Sequence, residues 1–228
     1  YDCGNLESVI IPNTITNIGT GAFYGCESLR EVTLPSSVKS MGDWVFNETT
    51  SLTKVTFAEG TTTIPSHTLE LAPAVTEVVI PDSVTEIGSD AFRYCTSLTE
   101  ITLPSNLTEV GSEVFENSGL KSIEIPKSVR SFSSYGFLSG ATSLAKVKFE
   151  EVTTAIPNYA LYNASAVSEI IFPKNITSIG AYAFFGCKNF TNITIPESVT
   201  SIGERAFYSC TNLTNITIPE GITSISNY

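Results

Sequence analysis

Five cysteines could bind zinc, form disulfides or act as nucleophiles, because a thiolate is both a metal ligand and a nucleophile. They are Cys3, Cys26, Cys95, Cys187 and Cys210. A structural zinc site needs clustered ligands such as two C-x-x-C pairs, and this sequence contains no such pair. Any other role for the thiols depends on where the chain places them.

Acid–base chemistry has few candidate groups in this sequence. His67 is the only histidine, no Ser or Cys nucleophile recurs near it, and we interpret it as an exposed turn residue. The four Asp residues do not follow an EF-hand or repeat-toxin calcium spacing. Glu77 and Glu100 share a column on neighbouring strands and could suggest a glycosidase pair, but an acidic solvated face explains them. The sequence therefore predicts no enzyme, with no catalytic residue, no cofactor and no bound zinc or calcium.

Composition limits the partners. The chain has 228 residues and a formal net charge of −11, which repels nucleic-acid phosphates and anionic lipid. It contains no apolar run near the roughly 18 residues that a membrane helix needs, so we expect no membrane insertion in this segment. The first residues, "YDCGNLESVI", show no signal peptide. We expect the sequence to be a fragment of a longer chain.

A repeat unit positions all of these residues. In each copy an apolar stretch ends at one recurring position, usually Pro, which we call the frame position. Successive frame positions are 23 residues apart, except for one step of 22 before Pro126 and one of 24 after it. Ten in-phase copies without a linker predict one repeat domain over residues 1–228. The frame residues are Pro12, Pro35, Ala58, Pro81, Pro104, Pro126, Glu150, Pro173, Pro196 and Pro219.

Each copy has two stretches that alternate apolar and polar residues, such as "LTEITLP" (98–104) and "SVTSIG" (198–203). Alternation with β-branched residues is typical of strands. The Gly that follows marks a turn, and the next stretch, with an Ala–Phe pair and a small residue, has the length of about one helical turn. We therefore predict a repeat solenoid, mainly parallel β with short helical turns, in which each coil is stable only when stacked on its neighbours.

Stacking turns repeat positions into columns. The position after the Ala forms a spine of bulky residues, which includes Phe23, Phe92, Phe137 and Phe184. The five cysteines share one column with Thr, Ala, Ser and Gly, so that column selects small size. Cys187 and Cys210 would lie at roughly the 4.8 Å strand spacing, but parallel side chains work against a disulfide. We expect all five to be free, buried thiols.

The copies "LTEITLPSNLTEVGSEVF" and "FTNITIPESVTSIGERAFYSC" resemble the BspA-like class of leucine-rich repeats, found in surface proteins of mucosal bacteria and some protozoan parasites. The resemblance covers essentially the whole chain. It implies a right-handed, curved solenoid with a parallel sheet on its concave side. It also implies a cell-surface or secreted location and adhesion to a host matrix protein or another surface protein. Copies three and seven depart from the pattern, since Pro65 and Pro157 replace the turn Gly.

Two functions stay open for such a repeat array, and the resemblance favours the first. The favoured one is an adhesin-like module that binds a protein, and the alternative is a structural spacer that holds another domain away from the cell. Self-association through uncapped ends also stays open. Eight N-x-S/T sequons occur, but they duplicate with the repeat, so the sequence does not decide whether they carry glycans.

The first candidate partner surface is an outward ladder two places before the frame position, on a sheet of ten strands about 45 Å long. Thr in such a ladder is equally explained as a β-former on a solvated sheet. The ladder consists of Ile10, Thr33, Thr56, Val79, Thr102, Glu124, Lys148, Ile171, Thr194 and Thr217.

The second candidate surface lies on two variable columns, nine and twelve places after the frame. In the N-terminal half they hold Gly21, Trp44 and Tyr24, followed by polar or charged residues: Asn47, His67, Glu70, Asp90, Arg93, Glu113 and Glu116. From the sixth copy onward they hold large apolar residues and Arg205. If these point outward they form a contact band, and if they lie flat they cover the Phe spine. This candidate aromatic band consists of Tyr135, Tyr159, Tyr162, Tyr182, Phe185 and Tyr208, with Leu138 beside them.

Overall fold

The structure is a computed structural model that describes residues 1–133, 135–150 and 154–222. It is a parallel-strand β-solenoid of about nine turns. As predicted, the stretches before and after the frame residue form short strands, which gives most coils two strands. The second strand of the tenth copy was expected in "GITSI", which extends beyond the described residues.

The strands before the frame residue make up the first ladder of each coil. They are β2 (Glu31–Thr33), β4 (Lys54–Thr56), β6 (Glu77–Val79), β9 (Ser122–Ile125), β11 (Lys146–Phe149), β13 (Glu169–Ile171), β15 (Asn192–Thr194) and β17 (Asn215–Thr217).

The strands after the frame residue make up the second ladder. They are β1 (Asn17–Ile18), β3 (Ser40–Met41), β5 (Thr63–Ile64), β7 (Glu86–Ile87), β8 (Glu109–Val110), β10 (Ser131–Phe132), β12 (Ala155–Ile156), β14 (Ser178–Ile179) and β16 (Ser201–Ile202).

Strand pairing reproduces the repeat spacing. Val55 of β4 lies between Val32 of β2 and Val78 of β6, each 23 residues away. The two irregular steps also appear, because Ser131 pairs with Glu109, 22 residues away, and Lys146 pairs with Ser122, 24 residues away. All pairings between described strands are parallel, so equivalent side chains of successive coils stack directly on each other.

The predicted helical turns are wrong: the described residues contain no helix, and the stretch around the Ala–Phe pair is a chain of turns. Two residues in most coils, nine and thirteen places after the frame, have positive φ, for example Trp44 (56°) and Glu48 (58°). The left-handed conformation interrupts a right-handed helix. Instead, the amides of Trp44, Phe46 and Glu48 donate to the next coil, so the turns form a third hydrogen-bonded side of the solenoid.

The core is one continuous cluster that runs between these three sides. Phe rings of successive coils stack along it, with centroids 5.4 Å apart for Phe23 and Phe46 and 5.3 Å apart for Phe92 and Phe115. The sixth coil shifts by one residue. There Leu138 donates its amide to Ala160, as Phe115 does to Phe137, so Leu138 rather than Phe137 takes the spine position.

The first ladder is interrupted, which corrects the expectation of one ten-strand sheet. It consists of separate sheets β2-β4-β6, β13-β11-β9 and β15-β17. Within the described parts of the chain, Glu100–Leu103 of the fifth coil makes no backbone hydrogen bond to residues 76–80 or 122–125. The side toward β9 coincides with the shortened step of 22 residues between Pro104 and Pro126.

No segment in the described ranges forms a helix with the length and apolarity needed to cross a bilayer.

Candidate functional site

The two variable columns lie together on the turn side of the solenoid, and they carry two different groups of side chains. Left-handed residues fill the first of these columns: φ is 55° at His67, 57° at Asp90, 56° at Tyr159 and 56° at Tyr182. Apart from the sixth coil, which shifts by one residue, the backbone of this column is therefore the same in both halves, and the side chains differ. The sequence placed the residues in these columns, but the left-handed backbone was missed because no Gly marks most of the positions.

In the N-terminal half, six side chains from three coils form a charged cluster: His67, Glu70, Asp90, Arg93, Glu113 and Glu116. The Arg93 guanidinium lies at its centre. Its Nε is 2.5 Å from Glu116 Oε2, and its Nη1 is 3.3 Å from Asp90 Oδ1 and 3.6 Å from Glu70 Oε1. Glu113 Oε2 also lies 3.9 Å from Nη1. One guanidinium therefore faces four carboxylates and compensates part of their negative charge.

Burial opposes the charges of this cluster. Desolvation raises the pKa of the Asp90 carboxyl above its ordinary value, although His67 and Arg93 act in the other direction. Burial likewise raises the pKa of Glu116, against the effect of Arg93. The folded protein thus holds both carboxylates at an electrostatic cost that their cationic neighbours offset only in part.

His67 is not the exposed turn residue that we predicted. Its side chain is 27% exposed, and its Nδ1 lies 2.9 Å from Glu70 Oε2 and 3.9 Å from Asp90 Oδ2. Its ring also stacks on Trp44, with centroids 4.7 Å apart. The signal in the sequence was the shared column, which put His67 next to Asp90 and Trp44 in neighbouring coils.

Two sets of three groups in the cluster bring ligand atoms within 4.8 Å of one another: His67 with Glu70 and Asp90, and Asp90 with Glu113 and Glu116. Such donors are of the kind that bind divalent cations. Arg93, however, already places a positive charge against Glu70, Asp90 and Glu116. We therefore assign the cluster as an ion-pair network rather than a metal centre.

In the C-terminal half, the aromatic band occupies the same columns. In one row, Tyr159 stacks on Tyr135 at 5.7 Å and on Tyr182 at 5.0 Å between centroids. In the other row, Phe185 stacks on Tyr162 at 4.7 Å and on Tyr208 at 5.2 Å. Since the rings face one another along the solenoid, they form two parallel stacks.

The band is half-exposed. Tyr135 and Tyr208 at its ends are 58% and 48% exposed, and the four rings between them are partly buried. Arg205 lies over Tyr182 and Tyr208, and its Nη1 donates to the Tyr182 hydroxyl at 3.1 Å. Leu138 does not belong to the band, because the one-residue shift of the sixth coil buries it completely in the core.

The ladder residues before the frame also point outward. Thr33, Thr56 and Val79 are aligned across one sheet, and Glu124, Lys148 and Ile171 across the next. Thr194 pairs with Thr217 in the third sheet. Thr102 is exposed but lies in the unpaired segment of the fifth coil. The structure thus divides this surface into separate patches.

All five cysteines are free, as predicted, and four of them are buried, whereas Cys3 is exposed. The thiols of Cys95, Cys187 and Cys210 donate to spine carbonyls, for example from Cys210 to Phe184 at 3.1 Å. Burial raises the pKa of Cys95 and Cys187, and it raises that of Cys210 to about 11. Raised pKa values disfavour the thiolate that nucleophilic or metal chemistry would need.

Comparisons with known proteins agree with this geometry. A model of the BspA type leucine rich repeat region matches residues 1–78, 62–165 and 154–228, in six copies. No curated protein sequence matches the chain significantly. Among solved structures, a leucine-rich repeat protein from Eubacterium ventriosum is 21% identical with a TM-score of 0.63, over 96% of this chain and 67% of that one.

Two further structures are similar. The pneumococcal vaccine antigen PcpA is 22% identical with a TM-score of 0.59, over 95% of this chain and 63% of its own. A leucine rich cell surface protein from Faecalibacterium prausnitzii is 26% identical with a TM-score of 0.46, over 92% and 78%. Together with the repeat columns and the parallel coils, the family match over the whole length shows that the chain belongs to the BspA-type leucine-rich repeat family.

Proposed function

We propose that this chain is a non-catalytic, protein-binding module that acts at a cell surface or after secretion, and that the aromatic band is its main contact surface. The observation that carries the proposal is the pair of stacked, half-exposed rows centred on Tyr159 and Phe185. Membership of the BspA-type family supports a role in protein interaction. A host matrix protein or another surface protein is the class of partner that we propose.

The stacking explains why such a band would bind well. Each ring is held between rings of the neighbouring coils, so little conformational entropy is lost when a partner covers it. Tyr also combines apolar area with a hydroxyl that can bond across an interface. Clusters of aromatic residues of this kind are enriched among the residues that dominate binding energies.

The test is the triple variant Tyr159→Ser, Tyr182→Ser and Phe185→Ser. Saturable binding to a panel of purified matrix and plasma proteins is measured for the parent and the variant by surface plasmon resonance. We expect the variant to lose at least about tenfold in affinity while its melting temperature changes little. A matched control, Tyr24→Ser with Trp44→Ser, removes two rings from the same columns outside the band and should retain binding.

Two outcomes contradict the proposal. If the triple variant melts far below the parent while binding by its folded fraction is unchanged, the rings stabilise the solenoid and are not the contact surface. If the well-folded parent binds nothing on the panel and does not self-associate in sedimentation, the spacer function is favoured instead.

A further inference from the structure

A groove lies at the fifth coil on the face formed by the first ladder, on a different side of the solenoid from the aromatic band. Its volume is about 760 Å³, and residues from coils four to seven line it. The groove lies where the first ladder is interrupted, so its centre is the unpaired segment Glu100–Leu103. We call it the coil-five groove.

Unpaired backbone is the first property of this groove. In the described residues, the amides and carbonyls of Ile101, Thr102 and Leu103 have no hydrogen-bond partner within the protein. Extended backbone with open hydrogen-bonding groups is the feature to which an added peptide strand pairs. The strands on either side of this segment, β6 and β9, are each paired on their far side, with β4 and β11.

Charge is the second property. Four carboxylates line the groove, those of Glu77, Glu100, Glu124 and Glu150, and the lining contains no basic side chain. Lys54 pairs with Glu77 at 2.7 Å, and Lys148 reaches Glu124 and lies 3.9 Å from Glu150. Glu100 has no ion-pair or hydrogen-bond partner among the described residues. The groove therefore keeps a net negative charge, with a free carboxylate at its centre.

Apolar surface is the third property. Val79 is 41% exposed at one wall of the groove, and Ile80 and Ile101 are partly exposed beside it. Aliphatic side chains, or the methylene stems of Lys and Arg, can cover this surface while their charged ends reach carboxylates. An extended segment with alternating side chains presents both kinds of group at once.

We propose that the coil-five groove binds an extended peptide segment in which Lys or Arg alternates with aliphatic residues. The main chain of the segment pairs with Ile101–Leu103, and its cations face Glu100 and the neighbouring carboxylates while their methylene stems cover Val79. Its aliphatic side chains point to the opposite face and pack against Ile101. This site rests on the proposed protein-binding function, because the segment is part of a protein partner, and it adds a second contact with defined chemistry.

The test is calorimetric titration of the 228-residue protein with the peptide acetyl-(Lys-Val)3-amide. We expect saturable binding at one site, and none for acetyl-(Glu-Val)3-amide. Glu100→Lys should weaken binding by about tenfold, because it places a cation against the cations of the peptide. The matched control Glu31→Lys makes the same charge change at the equivalent repeat position of a paired strand, β2, and should weaken binding by less than about twofold.

A second probe isolates the backbone contribution. The same Lys-Val peptide with alternate amides N-methylated keeps its charges and side chains, so it should bind at least about fivefold more weakly if main-chain hydrogen bonds form. Equal binding of the methylated peptide, or equal losses in Glu100→Lys and Glu31→Lys, would overturn the groove as the site. The triple aromatic variant should bind the Lys-Val peptide like the parent, which separates a failure of the groove from a failure of the band.

Discussion

The charged cluster and the aromatic band occupy the same two columns of the repeat. Side chains of neighbouring coils contact one another through ion pairs in the cluster and through ring stacking in the band. In the cluster, the carboxylates of three coils converge on Arg93. In the band, ring after ring stacks at about 5 Å, and Tyr159 on Tyr182 is nearly parallel, with 5° between planes.

The difference shows that, in an in-register solenoid, the type of side chain in a column determines how successive coils interact at the surface. Identical positions lie one coil apart, so a row of rings becomes a continuous stack, whereas a row of carboxylates becomes a site of repulsion that needs a cation. The band is thus stable without a specific partner residue. The cluster depends on one residue, Arg93, and is the more fragile of the two regions.

The largest expected effect tests whether both regions rest on the same core. Phe115→Ala, in the coil of Glu113 and Glu116, and Phe184→Ala, between Tyr182 and Phe185, each remove a fully buried ring. Each variant should lose about 3–5 kcal/mol of unfolding free energy, measured by urea denaturation. Hydrogen exchange should rise mainly in the mutated coil and its neighbours, since contacts pass between adjacent coils.

A much smaller loss for only one of the two variants would show that the core differs beneath the two regions, and the comparison of their surfaces would then have to include it.

The next prediction compares the stability losses on removing Arg93 from the charged cluster and Arg205 from the aromatic band. Arg93→Met keeps the apolar stem but leaves four carboxylates without their common cation, so we expect a loss of about 1–3 kcal/mol at neutral pH, limited by the partial exposure of the side chain. Arg205→Met removes a more exposed cation, which lies over the rings of Tyr182 and Tyr208, donates one hydrogen bond to the Tyr182 hydroxyl and pairs with the exposed Glu204, so it should cost less than about 1 kcal/mol. Urea denaturation of both variants at neutral pH measures the difference. Equal losses would contradict the ion-pair description of the cluster.

Much of this architecture was predictable from the sequence, because the frame residue and the alternation on either side of it determine strands, phase and core columns. The band residues were found by the same alignment. The helical turns were predicted wrongly, since Trp44 and Tyr159 adopt positive φ without the Gly that normally signals it. Leu138 was misplaced because the alignment could not show where within the sixth coil the extra residue lies.

Only part of the charged cluster could be predicted from the sequence. Its residues were assigned to their columns, but which ones touch depends on side-chain reach between coils, and His67 was therefore taken for an isolated surface group. The coil-five groove was not predicted at all. Sequence alternation at "LTEITLP" is as regular as elsewhere, and the loss of pairing around Ile101 depends on how neighbouring coils are spaced.

The smallest expected effect is a dependence on pH with opposite sign at two Asp residues. Burial raises the pKa of Asp90 above its ordinary value of 3.8, so its protonated form is favoured in the folded state. That stabilisation is complete below pH 3.8 and is lost as the pH rises through the raised folded pKa. Asp90→Asn should therefore match the parent in acid and become the more stable protein toward neutral pH.

Asp82 supplies the matched control outside the cluster. The backbone amide and hydroxyl of Ser105 donate to its Oδ1 at 2.8 and 2.9 Å and lower its pKa. Its stabilisation is present above pH 3.8 and is lost as the pH falls through the lowered folded pKa. Asp82→Asn should therefore be less stable than the parent at neutral pH and converge with it in acid. Melting temperatures of both variants and the parent between about pH 3 and 7 measure the two trends. Parallel trends would show that Arg93 and His67 fully compensate the burial of Asp90. The burial of this carboxylate in the charged cluster would then carry no net electrostatic cost.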